Sequence, residues 1–400
     1  MDKQPLLFLV HRIPYPPNKG DKIRSFHMLK YLSEHYEVHV GTFIDDPFDH
    51  QYKADVERYA CTAYFLNLSK RWSTLKSVSG FLTGMPLTLS YYANDKMKRW
   101  AEETRQRHNI EHILVFSSSM VQFVPHGHAH QTVVDFVDID SDKWRQYAER
   151  KRFPMNWVYR REGRTLFRYE QETVRLSKKS LFVSEAEATC FRQKLPDAAD
   201  KIGHFNNGVD VDYFDPKHQF ENPFPHGCRP IVFTGAMDYW ANVDGVTWFV
   251  ESVLSLILAD IPNVRFYIVG GNPNDKVLNM ESDFVQVTGR VPDVRPYLKF
   301  AHVVVAPLRI ARGIQNKVLE AMSMDRPVVV TPQAKEGILD NPFLQDHCED
   351  EPEGFAKACV SVLHGDPTWN RMSLRNFIVE HYHWQHCTKN LIQALQRSAH

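Results

Sequence analysis

Short apolar runs that alternate with stretches of helical periodicity constrain this chain's fold more than any other feature. Leu6–His11 is the first such run, broken by Pro14, Pro16, Pro17 and Gly20. A helical stretch follows from Asp21, with Ile23, Phe26, Leu29 and Leu32 on one face. Glu37–Phe43, His112–Phe116, Thr132–Val137 and Ser180–Val183 read as further strands, the last just before a helical Glu185–Lys194. The pattern then restarts: Pro230–Thr234, Val264–Val269, Val285–Thr288, His302–Ala306 and Pro327–Thr331 read as strands, with helices over Val243–Leu258 and Ile314–Met324. Strands that alternate with helices imply parallel sheets built from βαβ units. Two successive sets imply two α/β halves of similar size.

Length agrees, since 400 residues suit two domains better than one core. The turn-rich polar stretch 206–216 marks the boundary, giving domains of 1–205 and 206–379, with a C-terminal helix, 380–400, expected to cross back onto the first. Two parallel-sheet domains on a short linker are expected to leave a ligand cleft at the carboxyl ends of their strands. A hydrophobic fraction of 43% with 24% charged residues is typical of soluble globular chains. Lys and Arg total 48 against 48 Asp and Glu, a balance that argues against a nucleic-acid partner. Six scattered cysteines without a CxxC pair read as reduced thiols, and Leu6–Val10 is too short for a signal-peptide core, so the expected location is cytoplasmic.

Chemistry concentrates in Arg309–Thr331, RIARGIQNKVLEAMSMDRPVVVT. A strand, a glycine-containing loop and a helix start follow in order, and free N–H groups at such a start favour a diphosphate. Arg312 and Lys317 add cations, and Glu320 could accept from the two hydroxyls of a ribose. An ordinary helix with a solvated charge pair is the competing reading. In the first half, PNKGDKIR sets Gly20 at a strand-end loop and Arg24 one turn into a helix. Each is either a cleft-facing residue or a plain turn glycine and a surface charge. TVVDFVDIDSDKW (Thr132–Trp144) gathers Asp135, Asp138, Asp140 and Asp142 after a strand. Its DxD pattern admits a metal-dependent transferase or an aspartyl phosphatase, while Ser141 or Asp142 suits a helix cap.

Residues 143–179 carry 12 basic and 4 acidic side chains with interleaved aromatics. They suit an anionic membrane surface, or else form the solvated face of a packed helix. Histidines cluster at 126–130 and 381–386 without a carboxylate or cysteine at ligand spacing, so no metal site is expected.

The segment RGIQNKVLEAM, with NGVDVDYF-P in the linker, resembles the family 4 retaining glycosyltransferases of GT-B fold. PYPPNKGDKIRSFH and VDFVDIDSDKW are most similar to the sugar transferases of exopolysaccharide and exosortase (PEP-CTERM) systems. The resemblance implies two Rossmann-like domains facing a central cleft and a metal-independent enzyme without a cofactor, using a nucleoside-diphosphate-sugar as co-substrate. It implies transfer to a glycan or polyprenyl-diphosphate-linked acceptor, at most peripherally at the inner face of the cell membrane. Carried over by position, Gly235 and Gly271 line the donor cleft, and Arg290 and Val291 flank the base. Gly313, Ile314, Gln315 and Asn316 meet the diphosphate, Lys317 supplies charge, and Glu320 holds the ribose. Gly20 and Arg24 form an acceptor-side phosphate loop, and Asp138 is the candidate base or orienter. The chain departs from the pattern in two ways. Arg312 stands where the family has its first glutamate, and Ala236 and Asn242 replace an arginine and a lysine. A catalytically weak nucleotide-sugar binding or regulatory protein is therefore the alternative function.

Overall fold

A computed structural model describes residues 3–17, 20–149, 151–311, 313–365 and 373–396. It divides the chain into two compact units. The first runs to Asn206 and takes up the chain again from Cys387; the second is Asn207–His386.

The first unit is a seven-stranded parallel sheet of β1 (Gln4–Val10), β2 (Tyr36–Ile44), β3 (Thr62–Asn67), β4 (His112–Phe116), β5 (Thr132–Val137), β6 (Lys179–Phe182) and β7 (Ile202–His204), in the order β3-β2-β1-β4-β5-β6-β7. The central strands are almost fully buried, Leu6 to Val10 completely so, and a strand covered on both faces reads as an unbroken apolar run. The edge strands β3 and β7 lack that signature, the first half-exposed and the second three residues long, and the sequence pattern does not reveal them. Helices that shape this unit are α1 (Gly20–His35), α2 (Lys70–Ser77), α3 (Ser79–Thr83), α4 (Leu87–Tyr92), α5 (Asp140–Glu149) and α6 (Met155–Leu176).

The second unit is a five-stranded parallel sheet of β8 (Arg229–Thr234), β9 (Val264–Val269), β10 (Val285–Gly289), β11 (Val303–Ala306) and β12 (Val328–Val330), ordered β10-β9-β8-β11-β12. After β8 come α7 (Trp240–Trp248), a π-helical turn at Phe249–Val253, and α8 (Leu254–Asp260). This helical run of 21 residues has the length and hydropathy of a membrane span, yet Val246, Phe249, Val253 and Ile257 are buried in the unit's own core. α9 (Asn316–Ser323) starts two residues later than its apolar periodicity suggests. Gly313 takes φ +67°, and Gln315, in extended conformation, stands at the N-cap.

α10 (Leu374–Tyr382) closes the second unit. Arg375 donates to the carbonyls of Val211 (2.9 Å) and Phe214 (2.7 Å) and to Asp215 (2.9 Å), and Val209 N donates to Tyr382 O at 2.7 Å. Those bonds anchor the stretch 209–215 and carry the second unit past residue 379. The return to the first unit is α11 (Lys389–Gln396), where Lys178 Nζ donates to Leu395 O at 2.7 Å.

Candidate functional site

In each sheet the chain leaves the first strand in one direction and later returns on its other side. The switch falls between β1 and β4 and again between β8 and β11. Open α/β sheets hold ligands beyond the carboxyl ends of the strands at such a point.

In the second unit that edge is built of backbone. A Cβ on Gly270 would lie 1.7 Å from the carbonyl oxygen of Gly235, so β8 and β9 end closer together than any side chain permits. Gly235 N donates to Val269 O (3.0 Å), Met237 N to Gly271 O (2.8 Å) and Gly270 N to Gly289 O (3.2 Å), which joins the ends of β8, β9 and β10. Arg290, exposed, lies against Gly271, and Val291 is half-buried on the core. The glycine that this packing requires is Gly270; Gly271 has ordinary van der Waals room, since a methyl there would find its nearest atom at 3.5 Å.

Lys317 faces this edge from α9, with Glu320 three residues further along the same helix. Lys317 Nζ donates to Asn242 Oδ1 at 2.7 Å and sits 4.1 Å from the centre of the Phe233 ring. Asn242 is itself oriented, because its Nδ2 donates to Ala236 O at 2.9 Å. The two positions where an arginine and a lysine are replaced thus meet at one point: Ala236 offers a carbonyl, Asn242 relays it, and Lys317 delivers a cation beside Gly235. A methyl on Gly235 would lie 3.1 Å from Lys317 Nζ and 2.7 Å from Asn242 Nδ2. Burial pushes the Lys317 ammonium down to about 7, with the Glu320 charge partly opposing the shift. Burial likewise pushes the Glu320 carboxyl up to about 7, against the Lys317 charge. Among the described residues, no donor hydrogen-bonds the Glu320 carboxylate, although it is only half-exposed. Ile314 is buried, and Gln315 Nε2 donates to Gly313 O at 3.1 Å. Asn316 Oδ1 is buried without a hydrogen-bond partner among the described residues. Arg312 lies outside the described residues.

In the first unit Gly20 is the exposed first residue of α1, with open space where a side chain would go. Arg24 is neither a surface charge nor a phosphate contact. It is fully buried, with Nε and Nη2 donating to Asp135 at 2.7 and 3.1 Å and Nη1 to Phe205 O at 3.1 Å, while its plane covers the Phe205 ring at 3.6 Å. A bidentate guanidinium with its charge matched is what makes such burial tolerable. Asp135 therefore belongs to the core, and the carboxylates after it are separately engaged. Lys143 bridges Asp138 (2.8 Å) and Asp140 (3.2 Å), and Asp142 pairs with Lys194 and Arg145. Neither Ser141 nor Asp142 caps α5. The buried Glu170 does so from α6, accepting from Ser141 N (3.1 Å) and Oγ (2.5 Å), and burial pushes its carboxyl up to about 8.

Asp138 follows a strained residue. Val137 takes φ +68°, and Asp138 N reaches back over it to Phe136 O at 2.9 Å. A β-branched residue in that region costs about 1–3 kcal/mol and persists only where its surroundings enforce it. Here Val183 N donates to Val137 O at 2.7 Å and fixes the turn. At the end of β1, Asp21 meets His11 (3.4 Å) and Arg12 (2.8 Å), and Arg12 also pairs with Asp45 (3.0 Å). Desolvation would raise the Asp21 carboxyl, but the His11 hydrogen bond and the His11 and Arg12 charges hold it well below the usual carboxylate range. Sequence reasoning misses this cluster because HRIP reads as the end of a strand.

Two parallel-sheet α/β units of Rossmann type, the second with a cation and a carboxylate at its switch point, define the class: the GT-B fold of glycosyltransferases. Residues 229–365, within the second unit, match the protein family described as Glycosyl transferases group 1. Similar solved structures include HepE of Anabaena in complex with UDP and glucose, at 14% identity and TM-score 0.66 over 98% of this chain and 99% of that one. The sucrose-phosphate synthase of Thermosynechococcus elongatus is similar at 16% identity and TM-score 0.66, covering 98% of each chain. WaaG, a glycosyltransferase involved in lipopolysaccharide biosynthesis, is similar at 15% identity and TM-score 0.62, over 97% of this chain and 98% of that one. No curated protein matches the chain by sequence.

Proposed function

We propose that this chain is a retaining, metal-independent glycosyltransferase of the family 4 type. It moves a sugar from a nucleoside-diphosphate-sugar to a saccharide or lipid-linked acceptor in exopolysaccharide or other surface-glycan synthesis. The observation that carries the reading is the pairing, on α9, of a Lys317 ammonium held by Asn242 with a Glu320 carboxylate that has no donor of its own. A diphosphate supplies the counter-charge that Lys317 lacks, and a ribose supplies two hydroxyl donors for Glu320. The buried Asn316 Oδ1 is a further acceptor at the same helix start. HepE is named as binding UDP and UDP-glucose, which supports a UDP-type donor here.

The chemistry follows from charge. Departure of the sugar leaves negative charge on the diphosphate, and preorganised cations and amide donors stabilise it more than they stabilise the intact donor. Lys317 gains most, because burial makes its own ionisation unfavourable until an anion arrives. Arg312 adds a second cation in this reading. In the first unit Asp138, aimed by the strained Val137, orients the acceptor hydroxyl, and Gly20 leaves room for the acceptor's approach. The acceptor is borne at the inner face of a membrane, where the basic segment 143–179 meets anionic lipid.

The test is a thermal-shift panel of nucleoside diphosphates and nucleotide-sugars, with and without chelator, followed by nucleoside-diphosphate release on each hit. A chelator-insensitive shift with release is expected, and both are lost in Lys317→Met. A shift without release under every acceptor condition would instead assign a binding protein.

A further inference from the structure

The three most exposed large apolar side chains of the first unit, among the described residues, lie on neighbouring segments. Leu82 is 92% exposed, Phe153 81% and Trp72 73%, with Leu75 and Trp157 also more than half exposed. Trp72 and Leu75 lie on α2, Leu82 on α3, and Phe153 and Trp157 at the start of α6. The three segments are joined firmly. The Phe81 and Trp157 rings stack at 5.9 Å with 6° between their planes. Arg161 lies 4.8 Å from the Phe81 ring and donates to Gly80 O (2.5 Å) and Met85 O (3.2 Å). Rigid backbone presenting this much apolar surface to water is unfavourable unless something covers it.

Charge identifies the cover. Segments 70–85 and 151–161 together hold seven Lys and Arg and not one Asp or Glu, in a chain whose total charge balances. The rest of the basic stretch 143–179 differs, because its cations are largely engaged within the unit. Lys143 holds Asp138 and Asp140, Arg145 holds Asp142, Arg175 holds Asp197, and Lys178 and Lys179 donate to backbone carbonyls. Of those seven, Lys76 and Arg161 also donate to backbone carbonyls, while Lys70, Arg71, Lys151, Arg152 and Arg160 form no ion pair among the described residues, so the uncompensated surplus lies beside the exposed apolar tips. Indole and aliphatic side chains flanked by Lys and Arg match the boundary between headgroups and acyl chains of an anionic bilayer.

We propose that α2, α3 and the first turns of α6 form a membrane-docking surface for anionic lipid. Trp72, Leu75, Leu82 and Phe153 enter the interface, and Lys70, Arg71 and Arg160 face the headgroups. The proposal narrows the membrane contact in the reading above to a surface that mostly precedes residue 143, and it rests on that reading only for the membrane. Diphosphate release in solution tests the donor chemistry and vesicle sedimentation tests this surface, so either can fail alone.

The experiment sediments the full chain with vesicles of phosphatidylcholine alone and of equimolar phosphatidylcholine and phosphatidylglycerol, at low and high salt. Binding to the anionic vesicles that weakens with salt is expected, with little binding to the neutral ones. Lys70→Glu with Arg71→Glu should weaken it about twentyfold or more, at roughly fivefold for each basic residue lost. Trp72→Asp with Leu82→Asp should abolish it while leaving the circular dichroism spectrum and the melting temperature unchanged, since both side chains stand in water. Equal sedimentation of wild type and variants, or none by the wild type, overturns the proposal. So does a wild-type dimer that the Trp72→Asp, Leu82→Asp variant converts to monomer, which would assign the surface to a second copy of the chain.

Discussion

Two adjacent glycines allow the geometry of the donor edge to be tested without reference to ligand. A methyl on Gly270 would lie 1.7 Å from Gly235 O and 2.7 Å from Gly235 C, whereas one on Gly271 would meet nothing closer than 3.5 Å. Real Cβ contacts stay beyond 3.0 Å, so Gly270→Ala requires the ends of β8 and β9 to part by at least 1.3 Å. The obstacle is backbone and cannot swing aside. Overpacking of this kind costs about 1–3 kcal/mol where side chains can yield, and more where they cannot. At about 3 kcal/mol the transition of a unit of this size falls by roughly 6–12 °C. Turning the Gly235 carbonyl away offers no escape, because Ala236 would move with it, and Ala236 O holds the amide that holds Lys317. Gly270→Ala should therefore lower the melting temperature of the second unit and weaken nucleotide-sugar binding together. Gly271→Ala should change stability by less than about 0.5 kcal/mol. Scanning calorimetry with and without nucleotide-sugar measures both. A Gly270→Ala protein that melts within a degree of wild type, or a Gly271→Ala protein that is equally damaged, refutes the close approach.

Nucleotide-sugar affinity should peak near pH 7. Above it the Lys317 ammonium is lost, and below it Glu320 becomes protonated and stops accepting, each limb falling by up to about tenfold per pH unit. Titration calorimetry should show Lys317→Arg, whose guanidinium stays charged, abolishing the alkaline limb and Glu320→Gln the acidic one; two unchanged limbs in either variant would exclude that residue from the site. Asn242→Ala should raise the dissociation constant by about fivefold to twentyfold, since it removes one charge-assisted hydrogen bond. Arg24→Met should destabilise the first unit by about 3–5 kcal/mol by stranding the Asp135 charge. Adding Asp135→Leu to it should recover part of that loss in denaturant unfolding, and a double variant no more stable than the single would sink the pairing argument.

What the sequence revealed divides along physical lines. Buried parallel strands such as Leu6–Val10 and Val264–Val269 are legible because burial on both faces demands an unbroken apolar run. The edge strands Thr62–Asn67 and Ile202–His204 are not, because half-exposed pairing imposes no such demand. Glu320 and Lys317 stood out by local spacing, since a helix start and its first turns are contiguous in sequence. Arg24 carries no local sign of burial, because its partner lies 111 residues away and PNKGDKIR suits a cleft-facing or a surface charge equally. Lys317 and Asn242 are 75 residues apart, so the relay between them is equally invisible. The cap of α5 comes not from its own residues but from Glu170, 29 positions beyond Ser141. Gly270 and Gly271 are identical letters, and only three-dimensional packing separates the one that is required from the one that is tolerated.

The first unit is discontinuous, interrupted by the whole of the second and completed by α11. A ribosome delivers residues in order, so all seven strands of the first sheet emerge before the helix that Lys178 ties down through Leu395 O. The second unit, by contrast, is continuous from Asn207 to His386 and can finish folding while its elder partner still waits. During that interval the flank that α11 will cover, beside β4 and β5, is open to water and to other chains. A chain cut after residue 386 should therefore fold its second unit while its first, lacking α11, keeps that flank exposed to chaperones.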